Sequence, residues 1–268
     1  MKNGIVRVGE KQLFVEDTEG SGPAVVCVHG LGGTTTFYEP LVPALAAHFR
    51  VVRFDLDGHG RSPLTGPISV RALARDLSAI IATVAGGSAH IVGHSLGTLV
   101  AQELAATEPA RARSLVLLGP VRAQPDAAKE ATRARAATVR EKGMTAVADV
   151  ITQNATAAAA RAANPLVAGV IRELLLGQNA EGYAQMCEAL AAAENPDLAK
   201  VTADVLLLTG TDDKVSTEAI RASMKTELAK VTSETVKDCG HWTLTEAPAL
   251  VAAQTLAFLR KLEGASTN

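Results

Sequence analysis

A chain of 268 residues, 47% hydrophobic and 20% charged, is long enough for one large α/β domain carrying an inserted subdomain and too apolar for disorder. A net charge of -2 with both signs interspersed leaves no electrostatic footprint for nucleic acid or anionic lipid, so neither is expected as a partner. Residues 1–9 hold no signal-peptide core, no stretch is apolar enough to span a bilayer, and three scattered cysteines, Cys27, Cys187 and Cys239, suit a reducing compartment. A cytoplasmic location is the resulting expectation.

Two β-rich runs, Ile5 to Val8 and Gln12 to Glu16, flank Gly9-Glu10-Lys11 and predict an antiparallel hairpin. Ala24 to Val28 is continuously apolar, as a strand covered on both faces must be, and it runs into the glycine-rich stretch His29-Gly30-Leu31-Gly32-Gly33. Neither glycine pattern of a phosphate-binding loop is present there. A helix is predicted from Tyr38 to His48, then a strand from Val51 to Leu56 that leads into Asp57-Gly58-His59-Gly60-Arg61-Ser62. Val70, Leu73, Leu77, Ile80, Ile81 and Val84 recur at helical spacing over 68–84.

The stretch Ala89-His90-Ile91-Val92-Gly93-His94-Ser95-Leu96-Gly97 then places an apolar strand, a Gly-x-Ser-x-Gly turn and an apolar helix over 96–107 in immediate succession. A glycine-flanked turn with an exposed serine is the bland alternative. A helix that starts at Leu96 aims a free N–H and the positive end of its dipole at any oxygen gathering charge beside Ser95. Ser114 to Pro120 is another buried strand, and this alternation of strand and helix predicts a mostly parallel, doubly wound sheet.

From 123 to 198 the chain is alanine-rich and strand-free, with helices expected near 124–142, 144–153, 166–176 and 179–193. The expected organisation is thus a core over 1–122 and 199–268 with a helical cap inserted over 123–198. The run Ala155 to Ala160 is read as cap helix rather than linker, because alanine lacks the flexibility of glycine and serine. The sheet resumes at Val205 to Gly210, followed by a helix over 216–229, a strand from Glu234 to Lys237 and a closing helix over 246–262.

A serine hydroxyl becomes a nucleophile near neutral pH when a histidine takes its proton and an acid fixes that imidazole. Gly210-Thr211-Asp212-Asp213 and Gly240-His241 each follow a strand, which brings them to the sheet edge that Ser95 occupies. Asp213 and Asp212 are both admissible acids by spacing. A lone aspartate or histidine is more often structural; the combination changes those odds. His29, His59 and His94 are read as structural, and His48 and His90 have no motif around them. No metal-ligand spacing occurs, so neither metal nor cofactor is expected. Cys239, two residues before His241, is read as a small buried residue rather than a reactive thiol.

The elbow around Ser95 and the Asp-x-x-Gly-His-Gly-x-Ser turn at 55–62 resemble the α/β-hydrolase superfamily. The resemblance implies the α/β-hydrolase fold, catalytic Ser95, Asp213 and His241 in that chain order, and an oxyanion hole from the backbone N–H groups of Leu31 and Leu96. Thr138 to Met144, Glu181 to Cys187 and Gly210 to Val215 look like the 3-oxoadipate enol-lactonase and carboxylesterase branch. The function so implied is hydrolysis of a small ester or lactone through an acyl-serine. Within the superfamily, two features depart from the enol-lactonase pattern: Thr98 stands where a glycine is frequent after the elbow, and Gly240-His241-Trp242-Thr243 differs from the usual lactonase surroundings of the histidine. The alternatives are carbon-carbon bond hydrolysis of a diketone-like substrate and a ligand-binding receptor with a nearly idle triad. Phe37, Tyr38, Tyr183 and Trp242 are candidate pocket walls, with core packing as the competing reading. Arg133, Arg135 and Arg140 are candidates for a substrate carboxylate, against solvated helix-face charges.

Overall fold

Alternation with period two governs the centre of the molecule. Of the fully buried run Ala24–Val28, Val25 and Cys27 face one apolar layer, while Val26 and Val28 face the other. The computed structural model describes residues 2–265; Met1 and 266–268, which the expected core segments include, lie outside them. Eight strands form one sheet: β1 (Lys2–Val8), β2 (Lys11–Asp17), β3 (Ala24–Val28), β4 (Arg50–Phe54), β5 (Ala89–His94), β6 (Ala112–Leu118), β7 (Asp204–Gly210) and β8 (Val231–Val236). Their order is β1-β2-β4-β3-β5-β6-β7-β8, antiparallel at the β1/β2 and β2/β4 pairs and parallel elsewhere.

The order reverses between β3 and β5, which opens a crevice at the carboxyl ends of those two strands. One face of the sheet carries α2 (Val70–Thr83), α3 (Leu96–Thr107) and α9 (Glu218–Glu227), buried through residues such as Leu73, Leu99 and Met224. The other carries α1 (Val42–Leu45) and α11 (Pro248–Ala265), through Leu45, Val251 and Leu259.

Between β6 and β7 lies the helical insertion: α4 (Asp126–Lys142), α5 (Ala148–Ala155), α6 (Ala158–Ala163), α7 (Leu166–Leu176) and α8 (Ala180–Ala191). The alanine run does not form one helix. It breaks at Thr156-Ala157, because the Ala155 carbonyl accepts from the His241 N–H at 2.8 Å and the Ala157 N–H donates to Glu246 at 2.8 Å. Two tertiary hydrogen bonds outweigh helix propensity there.

Other boundaries move for equally local reasons. The expected 38–48 helix is a 3-10 turn at Thr35–Tyr38 and the single turn α1, since Pro40 and Pro43 lack backbone donors. Pro248 likewise separates α10 (Thr243–Glu246) from α11. The last strand starts at Val231, three residues before the predicted Glu234, pairing with β7 in continuous register. Among the described residues, no helix is long and apolar enough to cross a membrane.

Candidate active site

Ser95 closes β5 and opens α3 with φ 51° and ψ −121°, a conformation that side-chain-bearing residues rarely adopt. Three bonds hold it: its N–H donates to Leu118 O at 3.0 Å, and its carbonyl accepts from the Thr98 N–H at 2.8 Å and the Thr98 hydroxyl at 2.6 Å. Gly97 is required by close approach, since a Cβ there would overlap the carbonyl oxygen of Val28. Gly30 lies directly against the Ser95 side chain; a Cβ on it would come 2.7 Å from Ser95 Cβ.

The loop after β3 is braced from behind. His29 Nε2 accepts from the Leu56 N–H at 2.9 Å, and Asp55 accepts from the Thr35 N–H at 2.6 Å and the Arg61 N–H at 2.8 Å. The 55–62 turn therefore supports the glycine-rich loop. Burial pushes His29 down to about 4, so it is neutral as a hydrogen-bond acceptor. The N–H groups of Leu31 and Leu96 have no acceptor among the described residues, and both belong to segments that border Ser95.

His241 bridges the remaining two members. Its Nε2 lies 2.8 Å from Ser95 Oγ and its Nδ1 lies 2.9 Å from Asp213 Oδ2. An acceptor-only carboxylate on Nδ1 fixes the tautomer that leaves Nε2 to accept the Ser95 proton. The other Asp213 oxygen accepts from the N–H groups of Val215 and Ser216, each at 2.8 Å. Burial alone raises the Asp213 carboxyl; the neighbouring imidazole and these N–H donors overcome it and hold it below the ordinary carboxylate range. Asp212 is exposed and points to none of these partners, which separates the two acids that spacing left open.

Sequence reasoning passed over two residues here. Gly119 follows β6 at φ +55°, and a Cβ on it would lie 2.9 Å from His241 Nδ1 and 3.3 Å from Asp213 Oδ2. Glu246 accepts at Oε2 from Gly240 and Ala157, both at 2.8 Å, and at Oε1 from Trp242 at 3.0 Å. It joins the histidine loop to the break in the insertion. A Gly-Pro pair at a strand end and an acid five residues after the histidine were the available signals.

The four aromatic candidates are packed as core beneath these loops, each no more than 3% exposed. Phe37 stacks on His94 at 4.3 Å, Trp242 lies 5.3 Å from the His94 ring, and the Tyr38 hydroxyl donates to Val28 O at 2.8 Å. Tyr183 touches the glycine-rich loop at Gly32. Aromatics are scarce in this chain, and they fill the volume where loops converge. His94 donates from Nε2 to the His241 carbonyl at 3.0 Å, and burial together with the neighbouring His241 pushes it down to about 3. Cys239 is buried and its thiol is driven up by burial, so it is held protonated.

The three arginines separate. Arg140 is neutralised by Glu181, at 2.8 Å, and by Glu188. Arg133 is solvated on the outer face of α4, and Arg135 is half-buried beside the Cys187 thiol.

Against known proteins, a 3-oxoadipate enol-lactonase of Acinetobacter baylyi is 30% identical over 205 residues, 74% of each chain. The solved enol-lactonase of Burkholderia xenovorans LB400 is 27% identical, with 96% of this chain and 100% of that one covered at a TM-score of 0.88. A thermophilic esterase of Thermogutta terrifontis, solved with malate bound, is 26% identical, with 98% and 99% covered at a TM-score of 0.91. A pimeloyl-acyl-carrier-protein methyl ester esterase of Methylococcus capsulatus is 43% identical over 106 residues. The chain spans about two fifths of the length of several curated relatives, that esterase among them. The family described as alpha/beta hydrolase matches residues 25–254, so the match runs from β3 through the insertion into α11, and the chain belongs to the alpha/beta hydrolase family.

Proposed function

We propose that the protein hydrolyses a small carboxylic ester or lactone through an acyl-serine intermediate. The observation that carries this reading is the unbroken hydrogen-bonded series from Ser95 Oγ to His241 (2.8 Å) to Asp213 (2.9 Å). In the forward step Ser95 Oγ attacks the carbonyl carbon and its proton passes to His241 Nε2. Asp213 holds the ring in the productive tautomer and stabilises the imidazolium. The Leu31 and Leu96 N–H groups donate to the tetrahedral oxyanion, aided by the positive end of α3. His241 returns the proton to the leaving alkoxide, and the carbonyl re-forms as the acyl-serine. Water then attacks with His241 as base, releasing the acid and restoring Ser95.

The similarity to enol-lactonases and esterases supports an oxygen-ester carbonyl as the target. It acts on a small molecule in the cytoplasm under this reading. The test is turnover of a short aryl ester and of a carboxylated enol-lactone by the wild type and by Ser95→Ala. Expected is a loss of about three orders of magnitude or more in kcat in the variant. Equal turnover by both proteins would remove the acyl-serine reading.

A further inference from the structure

The glycine-rich loop is held from the insertion as well as from behind. Gln178, just beyond α7, is buried in the corner where α7 and α8 meet the loop after β3. Its Nε2 donates to Leu174 O at 2.8 Å, to Gly32 O at 3.2 Å and to Gly33 O at 3.4 Å, and its Oε1 accepts from the Gly60 N–H at 3.4 Å. Turning the amide over would set Oε1 against those carbonyl oxygens and Nε2 against an N–H, so the surroundings admit one orientation. Leu175 and Tyr183 press on the same turn: a Cβ on Gly32, whose φ is +79°, would lie 2.5 Å from Leu175 Cδ2 and 3.3 Å from Tyr183 Cε2.

From Gly32 O the contact reaches the reacting groups through two peptide units. Both are trans, since no cis peptide bond occurs among the described residues, and in a trans unit the C=O and the N–H point in opposite directions. The unit whose carbonyl accepts from Gln178 joins Gly32 to Gly33, and its N–H donates to Gly30 O at 3.0 Å. That carbonyl belongs to the unit joining Gly30 to Leu31, whose other end is the Leu31 N–H. A donor series therefore runs from Gln178 Nε2 through Gly32 O, the Gly33 N–H and Gly30 O to the Leu31 N–H, which has no acceptor among the described residues. Hydrogen bonds in series polarise one another, and each restrains the plane of the next peptide. His29 Nδ1 donates to the same Gly30 oxygen at 2.9 Å, so the core supplies one restraint and the insertion, through Gln178, the other.

We propose that Gln178 is a positioning residue for the oxyanion hole, coupling the seating of the insertion to the direction and donor strength of the Leu31 N–H. The inference rests on the acyl-serine reading, in which that N–H stabilises the tetrahedral oxyanion.

Gln178→Met keeps the length of the side chain and removes the amide. On a short aryl ester its kcat is expected to fall about tenfold with KM within about twofold of wild type; loss of a whole oxyanion donor costs about 10²–10³ in kcat, and here the donor stays but is less well aimed. The second readout is inhibition by an alkyl trifluoromethyl ketone. Ser95 Oγ adds to its carbonyl carbon, the Ser95 proton passes to His241 Nε2, and the carbonyl oxygen becomes a hemiketal oxyanion that mimics the tetrahedral intermediate. The inhibition constant is expected to rise by the factor by which kcat/KM falls. Asn179→Ala is the control for loosening of the same corner: it removes the α8 cap, in which Asn179 Oδ1 accepts from the Gly182 N–H at 2.9 Å, and is expected to lower Tm while leaving the inhibition constant within about twofold of wild type. Unchanged kcat in Gln178→Met overturns the inference. So does a fall in kcat with an unchanged inhibition constant, which is what a smaller folded fraction gives, and so does an equal rise of that constant in Asn179→Ala. Ser95→Ala separates the two readings: if it turns over the ester and binds the ketone as wild type does, the acyl-serine reading falls and this inference falls with it.

Discussion

Thr98→Val removes one hydroxyl from a fully buried side chain and keeps its shape. That hydroxyl donates to Ser95 O at 2.6 Å and accepts from the Val121 N–H at 3.0 Å, tying the elbow to the segment that leads into the insertion. The Ser95 carbonyl keeps its bond from the Thr98 N–H at 2.8 Å, so loss of the donor half costs roughly 0.5–1.5 kcal/mol. The Val121 N–H is left buried without an acceptor, which costs about 1–3 kcal/mol. Together the variant is expected to lose roughly 1.5–4.5 kcal/mol, which at about 2 °C per kcal/mol for a chain of this size lowers Tm by about 3–9 °C. Thermal and urea unfolding followed by circular dichroism measures it, with Thr98→Ser as the variant that keeps both bonds. Activity on the aryl ester is expected to fall several-fold in Thr98→Val, because Ser95 is held at positive φ by these contacts. A Tm within 1 °C of wild type would show that neither bond stabilises the elbow.

Glu246→Gln leaves one oxygen to receive three N–H donors and turns an NH2 toward one of them, so the histidine loop and the 155–157 break are expected to separate. The forecast is a fall of about tenfold or more in kcat with a smaller change in KM, restored in part by Glu246→Asp; equal kcat in wild type and Glu246→Gln would show that the carboxylate does not position His241. Acid stability follows from the buried histidines. Burial lowers His29 to about 4 and His59 and His94 to about 3, against about 6.5 in the unfolded chain. The unfolded chain therefore binds more protons below pH ~6.5, and stability is lost as pH falls from there toward the folded values, with a slope of up to about 4 kcal/mol per pH unit near pH 5 from three groups. Asp213, held low when folded, adds a loss of the same sign below about pH 4. Urea midpoints at half-unit steps from pH 7 to 4.5 check this, and a flat profile would refute neutral burial of these rings.

Local chemistry determined much of this protein before any tertiary contact. The continuous apolar runs at 24–28, 89–94 and 205–210 have to be covered on both faces, and a Gly-x-Ser-x-Gly turn between apolar strand and helix leaves one steric solution around Ser95. The loops that end at Asp213 and His241 lie at the sheet edge of Ser95 because each follows a parallel strand. What depends on long-range partners was out of reach. Spacing left Asp212 and Asp213 equivalent, and the fold separates them by burying Asp213 against His241 and the Val215 and Ser216 N–H groups, while Gly119 matters only because two loops close over it. The alanine run breaks at 156–157 because His241 and Glu246, some 85 to 90 residues away, claim its backbone groups. Phe37, Tyr38, Tyr183 and Trp242 fill the core because loop convergence creates volume there, which no spacing records. Arg133, Arg135 and Arg140 read alike in the sequence; only the folded chain supplies Glu181 and Glu188 to one, solvent to another and the Cys187 thiol to the third. Periodicity and turn sterics act over a few residues and are legible in order along the chain, whereas charge pairing and shape are set by which distant segments meet.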